Sequence, residues 1–171
     1  MPRYPLPENI ALHYWLCQYC LFYFDLIVKF ITALQAGAAG AIALNVLHES
    51  VRQVVPTAPR VDILGRRLIA RALRNTGSSV PNEDTLYALA MTGDLISNAL
   101  YYSLVGVGSS HSTLAKGFWL GLGAGIGAVT LPKYLDLPEE VVKGPSSTTL
   151  MTVGWYALGG VVAGWMARQL T

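Results

Sequence analysis

Asp94 is the residue with the clearest capacity for chemistry, because it lies about eight residues inside a long apolar stretch, residues 86–107. An ionisable side chain inside a membrane costs several kcal/mol unless it faces the protein interior or water. Polar residues follow Asp94 at helical spacing and share one helix face with it: Ser97, Asn98 and Tyr101. At 1.5 Å per residue, Asp94 is level with Tyr156 of a later apolar stretch. This polar stripe predicts either static interhelical hydrogen bonds or a path for a solute or proton.

A second polar cluster closes the first apolar stretch and also shares one helix face: Asn45, His48, Glu49 and Arg52. The segment from His48 to Arg52 resembles the zinc-protease motif H-E-x-x-H, but Arg52 replaces the second histidine. Because arginine cannot ligate zinc, the cluster is better interpreted as a polar helix end with a Glu49 to Arg52 pair. Cys17 and Cys20 are the only cysteines and form a lone C-x-x-C, so we expect neither a metal nor another cofactor.

Both polar clusters lie in stretches that the composition predicts to be membrane-spanning helices. The chain is 53% hydrophobic and 13% charged, against about 25% charged residues in soluble domains. Because the hydrocarbon core is about 30 Å thick, a span needs about 20 mostly apolar residues. Four stretches qualify: 28–47, 86–107, 114–131 and 150–166. We therefore predict an all-α, polytopic membrane protein whose residues 28–171 form a four-transmembrane-helix bundle.

Residues 1–27 form a separate apolar extension with three interpretations. They could be an interfacial helix, an extra span continuous with the first, or an upstream extension that does not belong to the native protein. The apolar part, residues 10–24, is short for a span, and Asp25 and Lys29 follow it without a turn signal.

The connector 53–84 is basic, which predicts a cytoplasmic location by the positive-inside rule, in a bacterial inner membrane. Its residues 61–74 place apolar side chains on one half of a helical wheel and arginines on the other: Arg66, Arg67, Arg71 and Arg74. This pattern is typical of an amphipathic helix whose arginines contact anionic lipid headgroups. The alternative is a helix that only caps the cytoplasmic end of the bundle.

Glycines recur every four residues in the last two predicted spans: Gly117, Gly121 and Gly125, then Gly160 and Gly164. Small residues at this spacing let helix backbones approach closely in a membrane. The rows predict tight packing within the bundle, with self-association into a homo-oligomer as the alternative.

Three functional classes are compatible with these features. We rank first a non-enzymatic assembly or lipid-interacting component, whose partner is the bilayer, anionic lipid or a larger membrane complex. A small channel or carrier with a polar path around Asp94 ranks second, and an intramembrane enzyme using His48 and Glu49 ranks third. The net charge of +2 is too small to indicate a nucleic-acid partner.

Overall fold

The described part of the chain is helical throughout. A computed structural model describes residues 8–108, 112–134 and 146–170, with side chains from residue 18 onward, so Cys17 lies outside the described side chains. Within these ranges there are five α-helices and one short 3-10 turn, Leu104–Gly106, and no strand. The helices are α1 Glu8–Arg52, α2 Val61–Asn75, α3 Glu83–Ser103, α4 Thr113–Tyr134 and α5 Ser146–Leu170. The all-α prediction is confirmed.

Three of these helices are long and apolar enough to cross a membrane: α1 over Gln18–Arg52, α4 over Thr113–Tyr134 and α5 over Ser146–Leu170. This supports a membrane location. The remaining predicted span, 86–107, coincides with α3, which is 21 residues long. Asp94 and its polar stripe lower the hydropathy of α3, so its length and composition do not identify it as a span by themselves.

Helix α1 is unbroken for 45 residues, about 67 Å at 1.5 Å per residue. Residues 10–24 therefore continue directly into the first predicted span. Residues 18–31 are exposed on every side, with Phe22 63% and Phe24 66% accessible. Packing against the other helices begins near Ala33, which lies beside Gly106.

Helix α1 packs between α3 and α5, and α4 packs on another side of α5. Glycines bring these backbones together. A Cβ built on Gly40 would lie 2.6 Å from the Gly159 carbonyl oxygen of α5, and one built on Gly37 would overlap the Ala99 carbonyl oxygen of α3. By contrast, α3 and α4 have few contacts, so a cleft separates them.

The predicted glycine rows lie at the contact between α4 and α5. A Cβ built on Gly164 would lie 2.5 Å from the Thr113 carbonyl oxygen, and those of Gly117 and Gly160 would overlap each other's carbonyl groups. Gly121 and Gly125 likewise face the α5 backbone. These glycines therefore serve contacts within this chain.

Helix α2 ends in a turn that requires glycine. Gly77 has φ +73°, in the left-handed region that other residues rarely adopt. The N–H of Ser78 donates to the Leu73 carbonyl at 2.9 Å and the N–H of Gly77 to the Arg74 carbonyl at 3.1 Å, which is a Schellman motif. The chain then enters α3, where the Asn82 side chain accepts a hydrogen bond from the Thr85 N–H at 2.9 Å.

Candidate functional site

The cleft between α3 and α4 contains a cavity of about 420 Å³, which we call the cleft cavity. Helix α2 covers one end of it, because Gly65 lets α2 approach Ala90 of α3. Tyr156 of α5 forms the back wall. The apolar part of the wall comes from three helices: Leu64, Leu68, Ile69, Ala90, Ala128 and Leu131. This volume lies within the usual range for small-molecule sites, and mostly apolar walls with few polar groups are typical of them.

Asp94 and Ser97 supply the polar part of the wall from α3. The Ser97 hydroxyl donates to the Asp94 carbonyl at 3.1 Å, which is a bond within the helix. The Asp94 carboxyl is therefore the principal polar group that the predicted stripe presents to the cavity. The structure thus brings Asp94, Ser97 and Tyr156 together at one site.

Two side-chain amides lie beside the Asp94 carboxyl: the buried Asn98 of α3 and the half-buried Asn45 of α1. The Asn45 amide nitrogen donates to the Ala41 carbonyl at 3.2 Å. Within the described residues, Asn45 Oδ1 and Asn98 Nδ2 have no hydrogen-bond partner. Buried polar atoms normally have a protein or water partner, so this cluster retains hydrogen-bonding capacity. Helical periodicity groups Asn45 with His48 on one face of α1, but it carries no information about the proximity of Asn45 to Asp94 on another helix.

Tyr101, the last residue of the polar stripe, crosses the cleft. Its hydroxyl donates to the Leu120 carbonyl of α4 at 3.0 Å. On the far side of Tyr101, α3, the 3-10 turn and α4 line a second and more open cavity of about 500 Å³, with Lys116 and Trp119 in its wall. Tyr101 and Leu120 line this second cavity, whereas the cleft cavity reaches along α3 only as far as Ser97, so their hydrogen bond lies at the end of the second cavity nearer to Asp94.

His48 and Glu49 do not share a site. His48 is 2% exposed, and its ring contacts Trp155 at 4.9 Å and Tyr156 at 5.9 Å between centroids. Neither ring nitrogen has a hydrogen-bond partner in the described part of the chain. The Glu49 carboxylate instead pairs with Arg52 at 2.7 Å. The described residues contain no group of His, Cys, Asp and Glu arranged to hold a metal ion.

Asp62 at the start of α2 forms an ion cluster that the sequence patterns did not predict. Its side chain is 4% exposed and contacts three arginines: Arg60 at 3.0 Å, Arg66 at 3.0 Å and Arg52 at 3.6 Å. Burial alone would raise the pKa of Asp62, but the hydrogen bond from Arg60 and the three positive charges outweigh it and hold the pKa below its ordinary value. The sequence contains one signal for this cluster: Asp62 is the only acidic residue between positions 50 and 82, in a segment that is otherwise rich in arginine.

The four arginines predicted to meet lipid headgroups fall into two groups. Arg66 bonds to Asp62 and also to Glu83 of α3 at 2.9 Å, so it joins α2 to its neighbours. Arg67, Arg71 and Arg74 have exposed side chains.

The candidate site thus consists of the cleft cavity with Asp94, its two amide neighbours and the tyrosine that crosses the groove. Comparison of the chain with protein-family models, with curated proteins and with solved structures gave no match.

Proposed function

We propose that this protein is a non-enzymatic, lipid-interacting component of a bacterial inner membrane. In this proposal α1, α3, α4 and α5 form a four-span bundle, and α2 is an amphipathic helix at the cytoplasmic surface. The observation that carries the proposal is the two-sided character of α2. Asp62 and Ala70 are buried, while Arg67, Arg71 and Arg74 are exposed.

The ion cluster supports this role, because it holds α2 in place. Asp62 joins α2 to Arg52 at the end of α1, and Arg66 joins it to Glu83 at the start of α3. A helix fixed in this way presents its exposed arginines in a constant arrangement. Each basic side chain near an anionic surface contributes about 1 kcal/mol of binding free energy, so the bilayer's anionic lipids are the proposed partner.

Lipid binding to the purified full chain tests this proposal. We expect a short-chain phosphatidylglycerol, titrated calorimetrically into detergent micelles, to bind the Arg67→Gln/Arg74→Gln variant about 30-fold more weakly than the parent protein, since two contacts of about 1 kcal/mol are lost. Arg168→Gln, which removes an exposed arginine at the end of α5, is the matched control and should bind as the parent does. Equal affinity in the parent and the double variant would contradict the proposal.

A carrier for a small solute is a second candidate, favoured by the two cavities on either side of Tyr101. A solute bound near Asp94 would reach the second cavity only after the Tyr101 to Leu120 hydrogen bond opens. Proteoliposomes test this function, because Asp94→Asn should slow solute or proton flux while Asp84→Asn, an exposed change in the first turn of α3, should not. The same flux in both variants would argue against a carrier.

A further inference from the structure

We propose that the cleft cavity binds a small lipophilic cation, an ammonium group attached to an apolar or aromatic body. This inference deepens the carrier function proposed above by naming the class of solute. Binding itself can be measured in micelles, whether or not the solute is transported.

The charge of the cavity wall selects a cation. Asp94 and Asp62 are the acidic side chains in that wall, and no lysine or arginine of the described residues lines it. Asp62 already has three arginine partners, so it has no unpaired negative charge to offer a ligand. Asp94 has no ion-pair partner among the described residues, and only neutral amides approach its carboxyl. A carboxyl within an apolar bundle favours either a proton or a cationic partner, and a bound ammonium group supplies the latter.

The shape and polarity of the cavity select a compact apolar body. Leucine, isoleucine and alanine side chains form most of its wall, which favours a hydrocarbon or aromatic group. Tyr156 at the back adds an aromatic ring, and such rings attract cations. An anionic lipid headgroup would meet the Asp94 carboxyl here, with no lysine or arginine among the described wall residues to attract it. The cavity therefore differs in chemistry from the arginine surface of α2.

The probe is benzyltrimethylammonium, which keeps its charge at every pH. Its neutral counterpart is neopentylbenzene, which has the same shape because a quaternary carbon replaces the nitrogen. Calorimetric titration of both compounds into the full chain in detergent micelles measures the contribution of charge to binding.

We expect saturable binding of the cation and at least about tenfold weaker binding of the neutral compound, since the ion pair is lost. Asp94→Asn should weaken cation binding by at least about tenfold and leave the neutral compound unchanged. Ala128→Leu, which fills the cavity from α4, should weaken both compounds, and Asp84→Asn should change neither. Thermal unfolding of each variant establishes that it is folded.

Equal cation affinity in the parent and Asp94→Asn, or no saturable binding, would overturn the inference. If the Asp94 variant does not fold, the Ala128→Leu variant tests the inference instead. Unchanged cation binding in that variant would show that the cation binds outside the cleft cavity and would overturn the inference. Flux that depends on Asp94 without cation binding would overturn the ligand class and leave the carrier function standing. Cation binding without flux would support the ligand class and overturn the carrier function.

Discussion

Replacement of Asp62 by asparagine should destabilise the protein by about 2 kcal/mol, roughly a 30-fold change in the unfolding equilibrium. The change keeps the shape of the side chain and removes its charge. Three arginines converge on this carboxylate from the end of α1, the connector and α2. Their charges would lose their common partner, and α2 would lose its attachment to α1.

The magnitude follows from the exposure of the partners. Breaking a fully buried ion pair by removing one partner costs about 3–5 kcal/mol, because the other charge remains buried. The Asp62 side chain is 4% exposed, but Arg60 is 47%, Arg52 26% and Arg66 23% exposed. Water therefore solvates the freed arginines in part, and the introduced amide would still accept a hydrogen bond, which lowers the expected cost to about 2 kcal/mol.

The contribution of Asp62 also depends on pH. Because its pKa is lower in the folded state than the ordinary 3.8, the unfolded chain takes up the proton first as the pH falls. The stabilisation is complete well above pH 3.8 and is lost as the pH falls through the lower folded-state pKa. The stability gap between the parent and Asp62→Asn should therefore narrow in acid.

Equilibrium unfolding in mixed micelles, with a denaturing detergent as titrant, measures this gap. Helical circular dichroism reports the transition at neutral pH and at a series of acidic values. Asp84→Asn is the matched control, because this exposed first-turn carboxylate contributes only about 0.5 kcal/mol through the helix dipole. A gap below about 0.5 kcal/mol at neutral pH, or a gap that stays constant in acid, would refute the reasoning.

The same unfolding assay measures the stability of three further variants, and hydrogen exchange is added for the last of them. Gly160→Ala should cost about 1–3 kcal/mol, because its Cβ would overlap the Gly117 carbonyl group. Gly127→Ala is the control and should not destabilise, because a Cβ built there has no described atom within 4 Å beyond its own helix backbone and chain neighbours; equal losses in the two variants would contradict this. Tyr102→Phe should cost about 1 kcal/mol, because the buried Tyr102 hydroxyl donates to the Tyr156 carbonyl at 2.8 Å; an unchanged midpoint would count against it. Gly77→Ala should cost about 1–2 kcal/mol through its left-handed φ and accelerate hydrogen exchange in the last turn of α2; unchanged exchange would argue otherwise.

Hydropathy and helical periodicity were sufficient to predict the all-α architecture and the membrane location. Both follow from short-range properties, since a helix satisfies its own backbone hydrogen bonds and a span needs only length and apolar composition. The same periodicity placed Asp94, Ser97, Asn98 and Tyr101 on one face of α3. The sequence also predicted α3 as a span, but only α1, α4 and α5 of the described helices are long and apolar enough to cross a membrane by themselves. The polar face of α3 makes that helix less apolar, so its placement in the membrane stays a prediction.

Contacts between helices were decided by the tertiary structure alone. A periodic pattern shows which residues share a face, but the neighbour of that face depends on helix rotation and on how closely backbones approach. Glycines bring α1 onto α3 and α4 onto α5, which leaves the cleft between α3 and α4 and carries Asn45 to Asp94. The convergence of Arg52, Arg60 and Arg66 on Asp62 likewise required the chain to turn back at the end of α1. Local sequence patterns were therefore enough to predict the helices and their polar faces, whereas the pairing of polar groups between helices depends on the packed fold.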